Sequence, residues 1–172
     1  MTEEALTTDW FVSAVTREFD YLISEYGYSR ATDQELHLRS VDTIAFVGPV
    51  AVVAVLEPLI GLVEVSVQPL VEGKVPTIPP IVSLSVHDIV SILSPSRAQA
   101  YEAIPQRSQP ASATEYLSMA AMDLRTFATE LLEGDTTIVA DVRRRLAHVP
   151  GVVGVDWWVS ARTDRPAGDD PQ

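Results

Sequence analysis

The segment Ile44-Ala-Phe-Val-Gly-Pro-Val-Ala-Val-Val-Ala-Val-Leu-Glu-Pro-Leu-Ile-Gly-Leu-Val-Glu-Val-Ser-Val67 decides the fold. Its first apolar run, Val50 to Leu56, is continuous and β-branched, the pattern of a strand buried on both faces. Glu57-Pro58 interrupts it, because proline cannot donate to a ladder and presets a turn. The second run alternates, with Val63, Val65 and Val67 on one face and Glu64, Ser66 and Gln68 on the other. That is a half-buried strand with one wetter side. A membrane-spanning helix needs about 20 predominantly apolar residues. Here Pro49, Glu57, Pro58, Glu64 and Pro69 fall inside the window. A carboxylate at mid-bilayer costs roughly 2.5 kcal/mol or more. The stretch therefore reads as the centre of a β-sheet.

The flanking sequence supplies helices to cover it. Asp9 is read as an N-cap, opening a helix from about 10 to 26 with Phe11, Val15, Phe19, Leu22 and Tyr26 on one stripe and Gly27 as terminator. Residues Ser29 to Ser40 read as a polar loop, Val41 to Val47 as the first strand, and Gly48-Pro49 as the turn out of it. A short edge strand is expected near Ile81 to Leu84, then a helix from Val86 to Leu93 capped by Ser85, with Ile89, Val90 and Leu93 inward. Ser94 to Ala111 reads as a surface loop with at most a brief turn near Ala98 to Ala103. Ser112-Ala-Thr-Glu115 matches a capping box, and the long helix after it, about 113–133, carries Leu117, Ala120, Ala121, Leu124, Phe127, Ala128 and Leu131 inward to Gly134. A last helix, capped by Asp135 or Thr136, runs to about Ala147 and places Arg143-Arg144-Arg145 at its C-terminal end. Val152 to Ser160 reads as a final strand. The expectation is one α+β domain over 1–161, an antiparallel sheet of three to five strands packed on two long helices, with a disordered tail over 162–172.

Composition narrows the function. The formal net charge is −12, and residues 1–35 contribute half of it with eight acids against Arg17 and Arg30. A chain this acidic lacks the basic face that nucleic acids and anionic membranes require, so neither is expected as a partner. The chain has no cysteine, which removes disulfides, thiolate nucleophiles and cysteine-ligated zinc. The N-terminal residues lack a basic, then apolar, leader pattern, and a cytoplasmic location is the expectation.

No catalytic, cofactor or metal residues emerge. His37, His87 and His148 stand apart without ligand spacing, and the pair His87-Asp88 reads as an ordinary helix start. Glu57 and Glu64 read as acids on a solvated sheet face, since like charges opposed across strands destabilise. There is no nucleophile elbow and no phosphate-binding glycine loop. The arginine triplet reads as a solvated helix face or a partner for the acidic first helix. Trp157-Trp158 sends its rings to opposite faces of a strand, so Trp158 is a candidate interface anchor.

Two segments carry a resemblance. Phe11-x7-Phe19-x2-Leu22-x3-Tyr26-Gly27-Tyr28 resembles the opening of a group of small bacterial proteins, and Phe127-Ala-Thr-Glu-Leu-Leu-Glu-Gly-Asp135 resembles the close of their last long helix. Some members of that group are immunity proteins of polymorphic toxin systems. The resemblance rests on core and cap positions, so it implies shared architecture and transfers no functional residues. Together with the charge it favours a non-enzymatic binding protein whose partner is a basic protein, with Asp20, Glu25, Asp33 and Glu35 as the docking acids. A self-associating assembly protein that pairs through a valine strand edge or Trp158 is the alternative. An enzyme that gathers acids around one of the histidines ranks third.

Overall fold

The computed structural model describes residues 7–32, 42–57, 62–76, 83–104 and 109–146. It is an α+β arrangement: a five-stranded antiparallel sheet in the order β1-β2-β3-β4-β5 with helices packed on one face. The strands are β1 (Ser29–Thr32), β2 (Asp42–Val47), β3 (Val50–Glu57), β4 (Leu62–Pro69) and β5 (Leu84–Ser85). The helices are α1 (Thr8–Ser24), α2 (Val86–Leu93), α3 (Pro95–Glu102), α4 (Pro110–Phe127), α5 (Thr129–Leu132) and α6 (Thr137–Leu146). Among the described residues no helix is long and apolar enough to cross a membrane.

Strand β3 lies at the centre, and the register explains why both of its faces are apolar. Val52, Ala54 and Leu56 stand opposite Phe46, Ile44 and Asp42 on one side and Val67, Val65 and Val63 on the other. This face joins Phe11, Val15, Phe19 and Leu22 of α1 and Leu117, Ala120 and Leu124 of α4 in one core. On the reverse face Ala45, Ala51 and Val53 are buried together, with Leu70 and Val75 packed against them. The alternation in β4 holds as its sequence implies, with Val63, Val65 and Val67 fully buried.

Several local expectations shift, each for a physical reason. Thr7, not Asp9, caps α1: its hydroxyl accepts from the Trp10 N–H, and Asp9 joins the first turn, where the helix dipole favours an acid. Ser29 to Thr32 is strand rather than loop, because β2 offers it a ladder whatever its polarity. Residues 95–102 form α3 instead of a surface loop, with Pro95 at the first helical position and only Ala98 and Tyr101 buried. Leu93 is 40% exposed at the end of α2, not inward. The capping box at 112–115 is bypassed: α4 begins at Pro110 with Gln109 before it and no side-chain cap. That helix ends at Phe127, six residues short of Glu133, where Ala128 leaves helical geometry (φ −118, ψ 23) and α5 restarts. The two predicted elements Val152 to Ser160 and 162–172 lie outside the described residues.

Tyr28 fastens three of these elements. Its N–H donates to the Leu22 carbonyl in the last turn of α1, while its hydroxyl donates to the Leu132 carbonyl of α5 at 2.8 Å. Its ring lies on Gly48 in the β2–β3 turn, where an added Cβ would stand 2.5 Å from Cε2. The phenol cannot retreat without giving up its bond to Leu132. Gly48→Ala should therefore cost about 1–3 kcal/mol, the range for overpacking. A denaturant titration checks this, and an unchanged midpoint would mean that the ring moves aside freely. Burial also pushes the Tyr28 phenol from 10.0 up to about 12. A raised pKa means the folded state holds the proton more tightly, so this contribution is complete below pH 10 and fades as pH climbs towards 12. Tyr28→Phe should flatten stability over that interval, measured by unfolding at stepped alkaline pH.

Candidate protein-binding surface

Two features concentrate charged groups, an exposed acidic end and a buried ionic network. The acidic end forms where α1 finishes, the β2–β3 turn passes and α5 leads into α6. The Tyr28 contacts gather these segments, and a Cβ on Gly134, whose φ is +108, would lie 3.0 Å from Pro49. Asp20 and Glu25 near the end of α1, and Glu130, Glu133 and Asp135 of α5 and the α5–α6 junction, are all exposed. Two of them do little for the helices they close. Glu25 is the C-cap of α1, which has no basic residue in its last turn, and Glu133 is the C-cap of α5. Acids at helix C-termini oppose the dipole.

The cations are largely spent within the molecule. Arg17 pairs with Glu18 at 2.8 Å, Arg125 with Glu25 at 2.6 Å, and Arg144 and Arg145 with Asp141, each at 2.9 Å. The Arg125 guanidinium also lies 5.5 Å over the Tyr21 ring, whose phenol burial raises well above its ordinary pKa. Glu25, expected from sequence to face a partner, is thus neutralised and tied to α4. Asp20, Glu130 and Glu133 have no ion pair among the described residues. Asp135 is held below the usual carboxylate range by the Thr137 hydroxyl and N–H, which it caps at the start of α6. Of the acids singled out from sequence, Asp20 and Glu25 are exposed near the end of α1. Asp33 and Glu35, and the anchor Trp158, lie outside the described residues. Glu130 and Glu133 escaped the sequence reading because only the fold ties α5, through Leu132, to Tyr28 after α1.

The second feature sits where α2, α3 and α4 meet the β4 edge. Asp123 of α4 is 1% exposed, and its two carboxylate oxygens accept from Arg97 Nε at 3.0 and 3.1 Å and from the Tyr101 hydroxyl at 2.9 Å. Tyr101 packs against the His87 and Tyr116 rings at 5.6 and 5.9 Å. The Tyr116 hydroxyl accepts from the Val65 N–H at 3.0 Å, completing the β4 ladder near the point where two-residue β5 pairs, and donates to Glu64 at 2.9 Å. Glu64 is therefore a half-buried acceptor and not a freely solvated acid, and it stands opposite Val55, not Glu57. The sequence did hold a signal for this network: Asp123 falls inside the apolar stripe of α4.

No family model, curated protein or solved structure matches this chain. Its chemistry is thus read from its own residues. His87 keeps a ring contact with Tyr101, while His37 and His148 lie outside the described residues. Among the described residues no three His, Asp or Glu side chains converge as a metal site would require. A cleft between α1 and β2, lined by Thr8, Phe11, Arg30 and Asp42, encloses about 60 Å³, room for water rather than a substrate. Thr8 closes it by donating to Asp42 at 2.6 Å.

Proposed function

We propose that this protein is a non-enzymatic binding module, most concretely an immunity-type inhibitor that acts in the cytoplasm by docking its acidic surface on a basic toxin. The distribution of charge carries this reading. Arg17, Arg97, Arg125, Arg144 and Arg145 each pair with an acid of the same chain, while Asp20, Glu130 and Glu133 are exposed with no ion pair among the described residues. Arranged charge of one sign accelerates encounter with an oppositely charged partner more than it strengthens the final complex.

The test begins with capture from the host lysate at low and moderate salt. A basic protein held at low salt and lost at moderate salt is the expected result. The triple variant Asp20→Asn, Glu130→Gln, Glu133→Gln should then associate with that protein about tenfold more slowly at low salt, with dissociation little changed. Capture indifferent to both salt and the triple variant would remove the acidic surface from the mechanism. Recovery of the chain alone would point to self-association instead, with the edge strand β1 as the pairing element, since valine-rich β3 has neighbours on both sides.

A further inference from the structure

The Arg97–Asp123 pair is poorly suited to a permanent structural role. Arg97 is the third residue of α3, and a cation in a first turn sits at the wrong end of the helix dipole. The residue before that turn, Ser94, makes no side-chain cap bond. Arg97 Nε is shared between both oxygens of Asp123, and the adjacent Nη2 is buried with no partner. A fork–fork pair would place Nε and Nη2 on one oxygen each, the stronger geometry for arginine on carboxylate. Tethered within α3, Arg97 does not achieve it. The Arg97 side chain is 29% exposed while that of Asp123 is 2% exposed, so the pair runs from a buried acid to an arginine that reaches solvent over part of its side chain.

Apolar groups adjoin the pair along the chain. Met122, next to Asp123, is 51% exposed, and Leu93, just before the Ser94 junction into α3, is 40% exposed. Methionine and arginine are both enriched at protein interfaces.

We propose that Asp123 is the floor of an arginine-receiving anchor, filled here by the chain's own Arg97, which an arginine of the basic partner enters by displacing it. The incoming side chain is free to form the fork that Arg97 misses, and that difference supplies the preference for exchange. Arg97, released to solvent, then adds no buried charge. This inference rests on the basic-partner reading above, but its test uses no partner protein. A negative result removes the anchor and leaves that reading standing.

The decisive experiment is a titration of the full-length protein with N-acetylarginine amide, following the Arg97 Nε–H resonance, with N-acetyllysine amide as control. Saturable loss or shift of that resonance at millimolar arginine compound is expected, with the lysine compound at least tenfold weaker because it cannot fork. In Arg97→Ala, methylguanidinium should raise Tm saturably, and it should do nothing in Arg97→Ala/Asp123→Asn. If Arg97→Ala does not fold, the wild-type titration decides alone. An Arg97 resonance indifferent to the arginine compound, or displaced equally by the lysine compound, would overturn the proposal.

Discussion

Phe19→Ala should destabilise the protein by about 3–5 kcal/mol, the range for truncating a fully enclosed aromatic ring. Phe19 has no exposed surface, and its ring stacks on Phe46 with centroids 5.9 Å apart. Phe46 stands opposite Val52 in the register, so this contact joins α1 to the middle of the sheet. The neighbouring Tyr21 ring, 6.4 Å away, lies along the same helix and cannot fill the void without leaving Arg125. Equilibrium denaturation measures the loss, with Ile23→Ala as the internal control. Ile23 is 41% exposed on the same helix and should change stability by only about 0.5 kcal/mol. A loss below about 1.5 kcal/mol for Phe19→Ala would show that α1 closes over the cavity.

Asp123→Ala is expected to cost about 2–4 kcal/mol, below the usual range for breaking a buried pair because Arg97 is 29% exposed and can swing into water. The buried Tyr101 hydroxyl has no such exit and loses its carboxylate acceptor. The double variant Arg97→Ala/Asp123→Ala should be less destabilised than the sum of the single changes, since the two groups share one interaction. Urea titrations of the four proteins give the coupling directly. Additive losses would mean that the ion pair contributes nothing beyond its separate packing.

The central sheet is readable in sequence because β-branched runs and prolines leave few alternatives to Val50–Glu57 and Leu62–Pro69. The misread elements are those whose cause lies elsewhere in the chain. Ser29-Arg-Ala-Thr32 has no apolar alternation and becomes a strand because β2 pairs with it. Helix α3 meets the core through Ala98 and Tyr101, too few positions to write a stripe. The capping box at Ser112 loses to Pro110, whose fixed φ starts the helix earlier.

The candidate surface divides in the same way. Asp20 and Glu25 could be recognised as acids off the stripe of α1. That Glu25 is bound to Arg125, a hundred residues later, depends on how α1 and α4 pack. Burial of Asp123 likewise depends on an arginine and a tyrosine from a different helix.

The order of the strands has a kinetic consequence. Val50–Glu57, apolar on both faces, is the segment most able to pair with another chain before folding is complete. Its two partners are its immediate neighbours in sequence, and β2 reaches it through the two-residue turn Gly48-Pro49. Short loops of this kind close in microseconds, far faster than chains at cellular concentration meet and align. The meander therefore limits the time during which this strand is open to other copies, and the net charge of −12 keeps those copies apart meanwhile.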